Sequence, residues 1–166
     1  MSKLKDIRPA QNGFSLIELT IVMSILILLY AVVSLNLSNA RPRSSLNTQI
    51  TTLSADLRQQ QLKALSGQAN GGTASEYGIY FSENSYTLFA GTSYSSSDPS
   101  NHVINLNDDL IFNNINLPQQ SVIFSAGTGE AAVYDAGQNS VSLLNSVTNV
   151  SRMLTLNAWG TVISVN

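Results

Sequence analysis

Glu18 is the one charged side chain in residues 14–37, which read FSLIELTIVMSILILLYAVVSLNL. An acid at membrane depth costs about 2.5–3.5 kcal/mol by insertion scales, so such a carboxylate marks a functional position. The other residues with chemical potential offer less. His102 is the only histidine. A nucleophile–histidine–acid triad needs two further groups converging on the ring, and a lone histidine beside a strand start reads as a surface or packing residue, so no catalysis is expected. Gly127-Thr128-Gly129 lacks the glycine and lysine that complete a phosphate loop and reads as a hairpin turn. The oxygen-rich stretch 98–109 (DPSNHVINLNDD) invites comparison with a calcium site, which takes six to eight oxygen ligands. Its spacing fits no calcium loop, and it reads as a polar loop. No metal and no cofactor are expected. Tyr77, Tyr80, Tyr86, Tyr94 and Tyr134 form either a contact patch or, more simply, alternate strand positions serving the core.

The elements around Glu18 begin with residues 1–13, MSKLKDIRPAQNG, in which Lys3, Lys5 and Arg8 face Asp6 alone. The following run has 19 uncharged residues from Leu19 to Leu37. As a helix, residues 14–37 would extend roughly 36 Å, against a bilayer core of about 30 Å. The basic leader keeps the N-terminus in the cytoplasm and exports the C-terminal bulk. A cleavable secretory signal has a similar profile, and Ser38-Asn39-Ala40 has the small residues such a site needs. The run is longer than the usual 7–15 residues of a signal core, however, and carries an acid at its start. A simple uncleaved anchor is the third reading.

Beyond the run, Pro42 in Arg41-Pro42-Arg43 is where the first helix is expected to bend or restart. Leu46, Ile50, Leu53 and Leu57 fall at 4-3-4 spacing with Ala64 on the same stripe and Leu62 and Leu65 on a flank, while Asp56, Arg58 and Lys63 point elsewhere. This second helix packs on a sheet, ends near Gly67, and is followed by a loop at Asn70-Gly71-Gly72. Short β-like runs follow at 77–81, 86–90, 102–106, 110–115, 122–125, 131–134, 141–147, 152–156 and 161–165, separated by turn signals. The expected fold class is α+β: a long N-terminal helix, apolar in its first half and amphipathic in its second, packed on a β-rich head of two small antiparallel sheets. The expected parts are a leader 1–13, an assembly helix 14–40, an amphipathic helix 41–67 and a head 68–166.

Gly13-Phe14-Ser15-Leu16-Ile17-Glu18, after a basic leader and before an apolar run, resembles the class III signal of type IV pilins and of the pseudopilins of type II secretion. The resemblance implies cleavage by a prepilin peptidase between Gly13 and Phe14, N-methylation of Phe14, and an assembly role for Glu18. Once cut, the chain would carry a mostly cationic α-amino group on Phe14. In a water-poor setting that amine and the Glu18 carboxylate of a neighbouring subunit attract strongly, and each is costly alone. An intramolecular pairing at i, i+4, helped by the helix dipole, is the alternative. Main pilin subunits carry a helix-kinking proline at the position that is Leu35 here, which favours a minor subunit. Further along, Leu53-Ser54-Ala55-Asp56-Leu57-Arg58, Val122-Ile123-Phe124-Ser125-Ala126-Gly127, Leu154-Thr155-Leu156-Asn157 and Gly160-Thr161-Val162-Ile163 resemble in order the head of GspH/FimT-type minor pseudopilins. Such a protein is a low-copy structural subunit of a type II secretion or type IV pilus machine, and several members prime assembly at the filament tip. The implied partners are the peptidase, other major and minor pilin or pseudopilin subunits, and the bacterial inner membrane, with the head in the periplasm.

Charge narrows this further. Only 11% of residues are charged, well under the roughly 25% of an average domain. After Gly67 the one cation is Arg152, against seven carboxylates. Phosphate backbones need clustered cations, so no nucleic acid is expected. Some relatives bind DNA through C-terminal arginines, and the ending Trp159-Gly160-Thr161-Val162-Ile163-Ser164-Val165-Asn166 has none. There is no cysteine, so the head holds together by its core alone. Two rival classes stay open: a membrane-anchored periplasmic binding module that does not polymerise, and a hydrolase using His102.

Overall fold

The computed structural model describes residues 15–70 and 72–166, and the side chains of all of these except 32–44. By internal contacts the chain divides into two units, Met1–Ser38 and Asn39–Asn166. Helix α1 is assigned over Leu16–Leu65, through Pro42, with acidic Glu18 in its first turn and basic Lys63 in its last, each on the side the helix dipole favours. It ends in a Schellman arrangement. Gly67, at φ 63°, donates to the Ala64 carbonyl (3.0 Å), and Gln68 donates to that of Lys63 (3.0 Å).

Within Asn39–Asn166, the stripe Leu46, Ile50, Leu53, Leu57 and Ala64 is buried. It packs in one core with residues from two antiparallel four-stranded sheets. The first sheet is built from β3 (Tyr77–Ser82), β4 (Ser85–Ala90), β5 (His102–Asn105) and β7 (Ser121–Phe124), in the order β5-β4-β3-β7. The second uses β6 (Leu110–Asn116), β8 (Ser140–Asn145), β9 (Val150–Leu156) and β10 (Val162–Val165), in the order β10-β9-β8-β6. A small ribbon of β1 (Ala69–Asn70) and β2 (Thr73–Ala74) precedes them. Period-2 alternation is plain in β8, where Val141, Leu143 and Asn145 are buried and the residues between them are not fully covered. Pairing Ile79 with Leu88 and Phe81 with Tyr86 turns the apolar faces of β3 and β4 the same way. The sheets meet where Phe81 packs edge-on against Phe112 at 5.3 Å and 88°.

The outer face of the first sheet has its own small aromatic cluster. The Tyr94 ring, in the loop between β4 and β5, stacks on Tyr80 at 4.0 Å and meets Phe89 edge-on at 5.7 Å. Gly78 makes room for Phe89: a Cβ there would stand 2.7 Å from its ring and 2.6 Å from the Val122 carbonyl.

Two local expectations are corrected. Residues 131–134 do not form a strand. Only Ala131 bridges Phe124, and the Ala131 and Ala132 amides reach the carbonyls of Ala158 and Ile123. Val133 and Tyr134 are exposed, so no sheet face gains by extending the pairing. Conversely, the first residue of the loop expected at Asn70-Gly71-Gly72 belongs to a strand, Asn70 of β1 pairing with Thr73 of β2.

Candidate functional site

Gly13 and Phe14 lie outside the described residues, as does the expected pairing between the Phe14 amine and Glu18. Glu18 is described. It sits in the first turn of α1, exposed, and its carboxylate has no hydrogen-bonding partner among the described residues. Around it Leu16, Ile17, Leu19, Ile21 and Val22 are also exposed. The hydroxyls nearby are satisfied within the helix: Thr20 Oγ1 donates to the Ile17 carbonyl (2.8 Å) and Ser24 Oγ to that of Thr20 (2.7 Å). Such back-bonding satisfies a hydroxyl within its own helix, whereas the Glu18 carboxylate has no such internal partner among the described residues. Among the described residues no helix is long and apolar enough to cross a membrane. The expected span 14–37 extends past them, to Phe14 and to the side chains of 32–37.

In the head, polar side chains tie α1 to the sheets. Tyr86 is 0% exposed, and its phenol donates to Asp56 Oδ2 at 2.6 Å. Asp56 thus faces the sheet, contrary to the expectation that it points elsewhere. Burial, then the hydrogen bond and charge of Asp56, push the Tyr86 phenol well above its ordinary value. Asn145, also 0% exposed, donates to Asp109 Oδ2 at 2.7 Å and accepts from the Val147 and Thr148 amides and the Thr148 hydroxyl. Ser45 Oγ donates to Asp109 Oδ1 at 3.4 Å. Gln61 Nε2 donates to the carbonyls of Gly129 (2.9 Å) and Trp159 (2.7 Å).

The Gly127-Thr128-Gly129 turn serves the helix end. The Gly127 amide donates to the Ala64 carbonyl at 2.8 Å, which thus accepts from both Gly67 and Gly127 at the end of α1. In the 98–109 stretch, the Asp98 carboxylate accepts from the Ser100 hydroxyl (2.7 Å) and amide (2.8 Å), which hold its pKa below the usual range. Asp109 is engaged with Asn145 and Ser45 instead, so the structure does not gather these acids. Among the described residues no three metal-binding side chains converge.

His102, exposed at the start of β5, borders a cleft of about 440 Å³ between α1 and the first sheet. Asp56, Gln60, Lys63, Gln68 and Ile104 are among its other walls. Lys63 Nζ stands 5.7 Å from the centre of the Tyr77 ring. Gln60 is 1% exposed, and its amide nitrogen is buried without a partner. Sequence reasoning missed Gln60, although the chain carries the signal. It lies three residues after Leu57 and four before Ala64, so a polar side chain interrupts the apolar stripe.

A family signature described as the prokaryotic N-terminal methylation motif matches residues 8–33. No curated protein and no solved structure matches the chain. The match embraces Gly13, Phe14 and Glu18 and the opening turns of α1, so this chain carries a prepilin-like N-terminus of the type IV kind.

Proposed function

We propose that the chain is a minor pilin-like structural subunit, a pseudopilin of a type II secretion or type IV pilus machine, with no catalytic role. Prepilin peptidase removes residues 1–13, and Phe14 becomes the N-methylated terminus. The subunit waits in the inner membrane with its head in the periplasm. It then enters the filament at or near the tip, where Glu18 pairs with the amine of a neighbouring subunit and helix–helix contacts replace lipid.

The observation carrying this reading is the methylation-motif match at residues 8–33, with Glu18 unpaired in the first turn of an apolar helix segment. A carboxylate held in apolar surroundings gains most when a cation reaches it. The head, with two sheets and a helix stripe sharing one core, is suited to presenting lateral contacts.

The test is mass spectrometry of the N-terminus of the membrane-extracted protein from a host with a working prepilin peptidase. A chain beginning at methylated Phe14 is expected. An intact Met1 would overturn the proposal and favour a simple anchor.

A further inference from the structure

We propose that the chain modifies itself at Asn70: the Gly71 main-chain nitrogen closes on the Asn70 side chain, ammonia leaves, and an aspartate or isoaspartate remains on the β1–β2 ribbon. This reaction does not depend on whether the chain is cut after Gly13.

The pair of residue types is the first reason. Asparagine followed by glycine occurs at Asn12-Gly13 and at Asn70-Gly71. Ring closure brings the nitrogen of the second residue onto the side-chain carbonyl carbon of the first. A glycine there has no Cβ to obstruct the approach and the widest choice of backbone angles. The first pair lies in the leader, outside the described residues, whereas Asn70 belongs to the head.

The fold singles out Asn70 among the asparagines of the head that a small residue follows. Its side chain is exposed and has no hydrogen bond among the described residues. Asn139 is followed by Ser140, but its Nδ2 donates to the Leu156 carbonyl (3.1 Å) and to the Tyr134 phenol (3.4 Å). Asn145 is followed by Ser146, but it is fully covered and donates to Asp109. Asn84 is exposed, yet its successor Ser85 carries a Cβ and opens β4. The main chain around Asn70 is also free to rearrange. Only the pairs Ala69–Ala74 and Asn70–Thr73 close the ribbon, and all four residues are exposed. A two-stranded ribbon without a covered face is marginal in water, so it opens locally.

The chemistry needs water and a solvent base alone. The Gly71 nitrogen gives up its proton and bonds to Asn70 Cγ. The Cγ–Nδ2 bond breaks, and Nδ2 takes up a proton and leaves as ammonia. One water then opens the cyclic imide at either carbonyl. One opening gives aspartate, and the other gives isoaspartate, whose main chain runs through the former side chain. Asn70 lines the same cleft as Asp56 and Lys63, whose charges are opposite, so the new carboxylate tips these walls to negative. Isoaspartate also lengthens the main chain inside the ribbon and breaks the Asn70–Thr73 register. The site is a slow, irreversible clock on the face of the cleft.

The experiment incubates the full chain in detergent micelles in mildly alkaline buffer and samples it over time by isoelectric focusing. An acidic species is expected to accumulate and to migrate with the Asn70→Asp variant. Mass spectrometry of the chymotryptic peptide 66–77, in which Asn70 is the only asparagine, should show the mass gain of amide-to-acid conversion. Labelling by isoaspartyl methyltransferase should mark the same peptide. Gly71→Ala and Asn70→Gln, whose longer side chain closes a less favourable ring, should each lose the conversion. The proposal is overturned if peptide 66–77 keeps its mass, if Asn84 or Asn139 converts as fast as Asn70, or if Gly71→Ala converts at the wild-type rate.

Discussion

Asp56 of α1 accepts a 2.6 Å hydrogen bond from the phenol of Tyr86 on β4, joining the helix to the first sheet through a pair whose phenol is fully covered. Tyr86→Phe removes the donor and leaves Asp56 facing an apolar ring. A loss of about 1.5 kcal/mol is expected by urea denaturation, at the low end for bonds to charged groups because Asp56 is only half-buried.

The same pair makes stability fall in alkali. An unfolded tyrosine ionises near pH 10. Burial and Asp56 raise the folded phenol above that, so the folded state holds the proton more tightly. The contribution is therefore complete below about pH 10 and is lost as pH rises through the folded value. Urea midpoints measured at about pH 8 and about pH 11 should drop further for the wild type than for Tyr86→Phe. Equal drops would mean that Tyr86 is not the group responsible.

Gly160→Ala is expected to destabilise the chain by about 2–4 kcal/mol. Gly160 sits at φ 68°, which L side chains rarely adopt, and an added Cβ would overlap the buried Phe124 ring. Thermal unfolding checks this. A variant within a degree or two of the wild type would mean that the turn opens without cost.

Asn145→Ala should cost about 2–3 kcal/mol, since it strips the donor from Asp109 and the acceptor from three groups in the turn after β8. Hydrogen exchange at the Val147 and Thr148 amides should speed up as the turn loosens. Unchanged protection would count against Asn145 as its organiser.

Tyr94→Ala removes the ring that stacks on Tyr80 and abuts Phe89. About 1 kcal/mol is expected to be lost. Limited proteolysis should then cut within residues 91–101 sooner than in the wild type, with the core strands still protected.

Glu18→Gln is expected to leave cleavage after Gly13 and membrane insertion intact and to reduce incorporation into the filament. Immunoblots of sheared filaments against membrane fractions report the partition. Normal incorporation would remove the intersubunit role assigned to Glu18.

Elements that repeat on a short period are legible in the order of residues alone. Leu46, Ile50, Leu53 and Leu57 declare a helix face because 3.6 residues per turn bring them into line. Most strand runs, such as 77–81 and 110–115, stand out by β-branched and aromatic residues between turn signals. Residues 131–134 mislead because Ala-Ala-Val-Tyr has strand composition, whereas pairing also needs a partner edge and a surface to cover. Asp56 misleads for a related reason. It lies one residue before Leu57, on the shoulder of the stripe, and only the arrival of Tyr86 from β4 turns that shoulder inward.

A linear chain records what neighbours along it do together: the uncharged run after Glu18, the glycine before Phe14, the alternation of β8. Those features are local, and their physics acts over a few residues. Which strands lie at the edges, that the Gly127 amide meets the end of α1, and that Gln60 is buried without an acceptor beside β5 all depend on residues tens of positions apart. Such encounters follow from how the sheets close over the helix stripe, because packing many side chains into one shared core selects a partner for each of them at once.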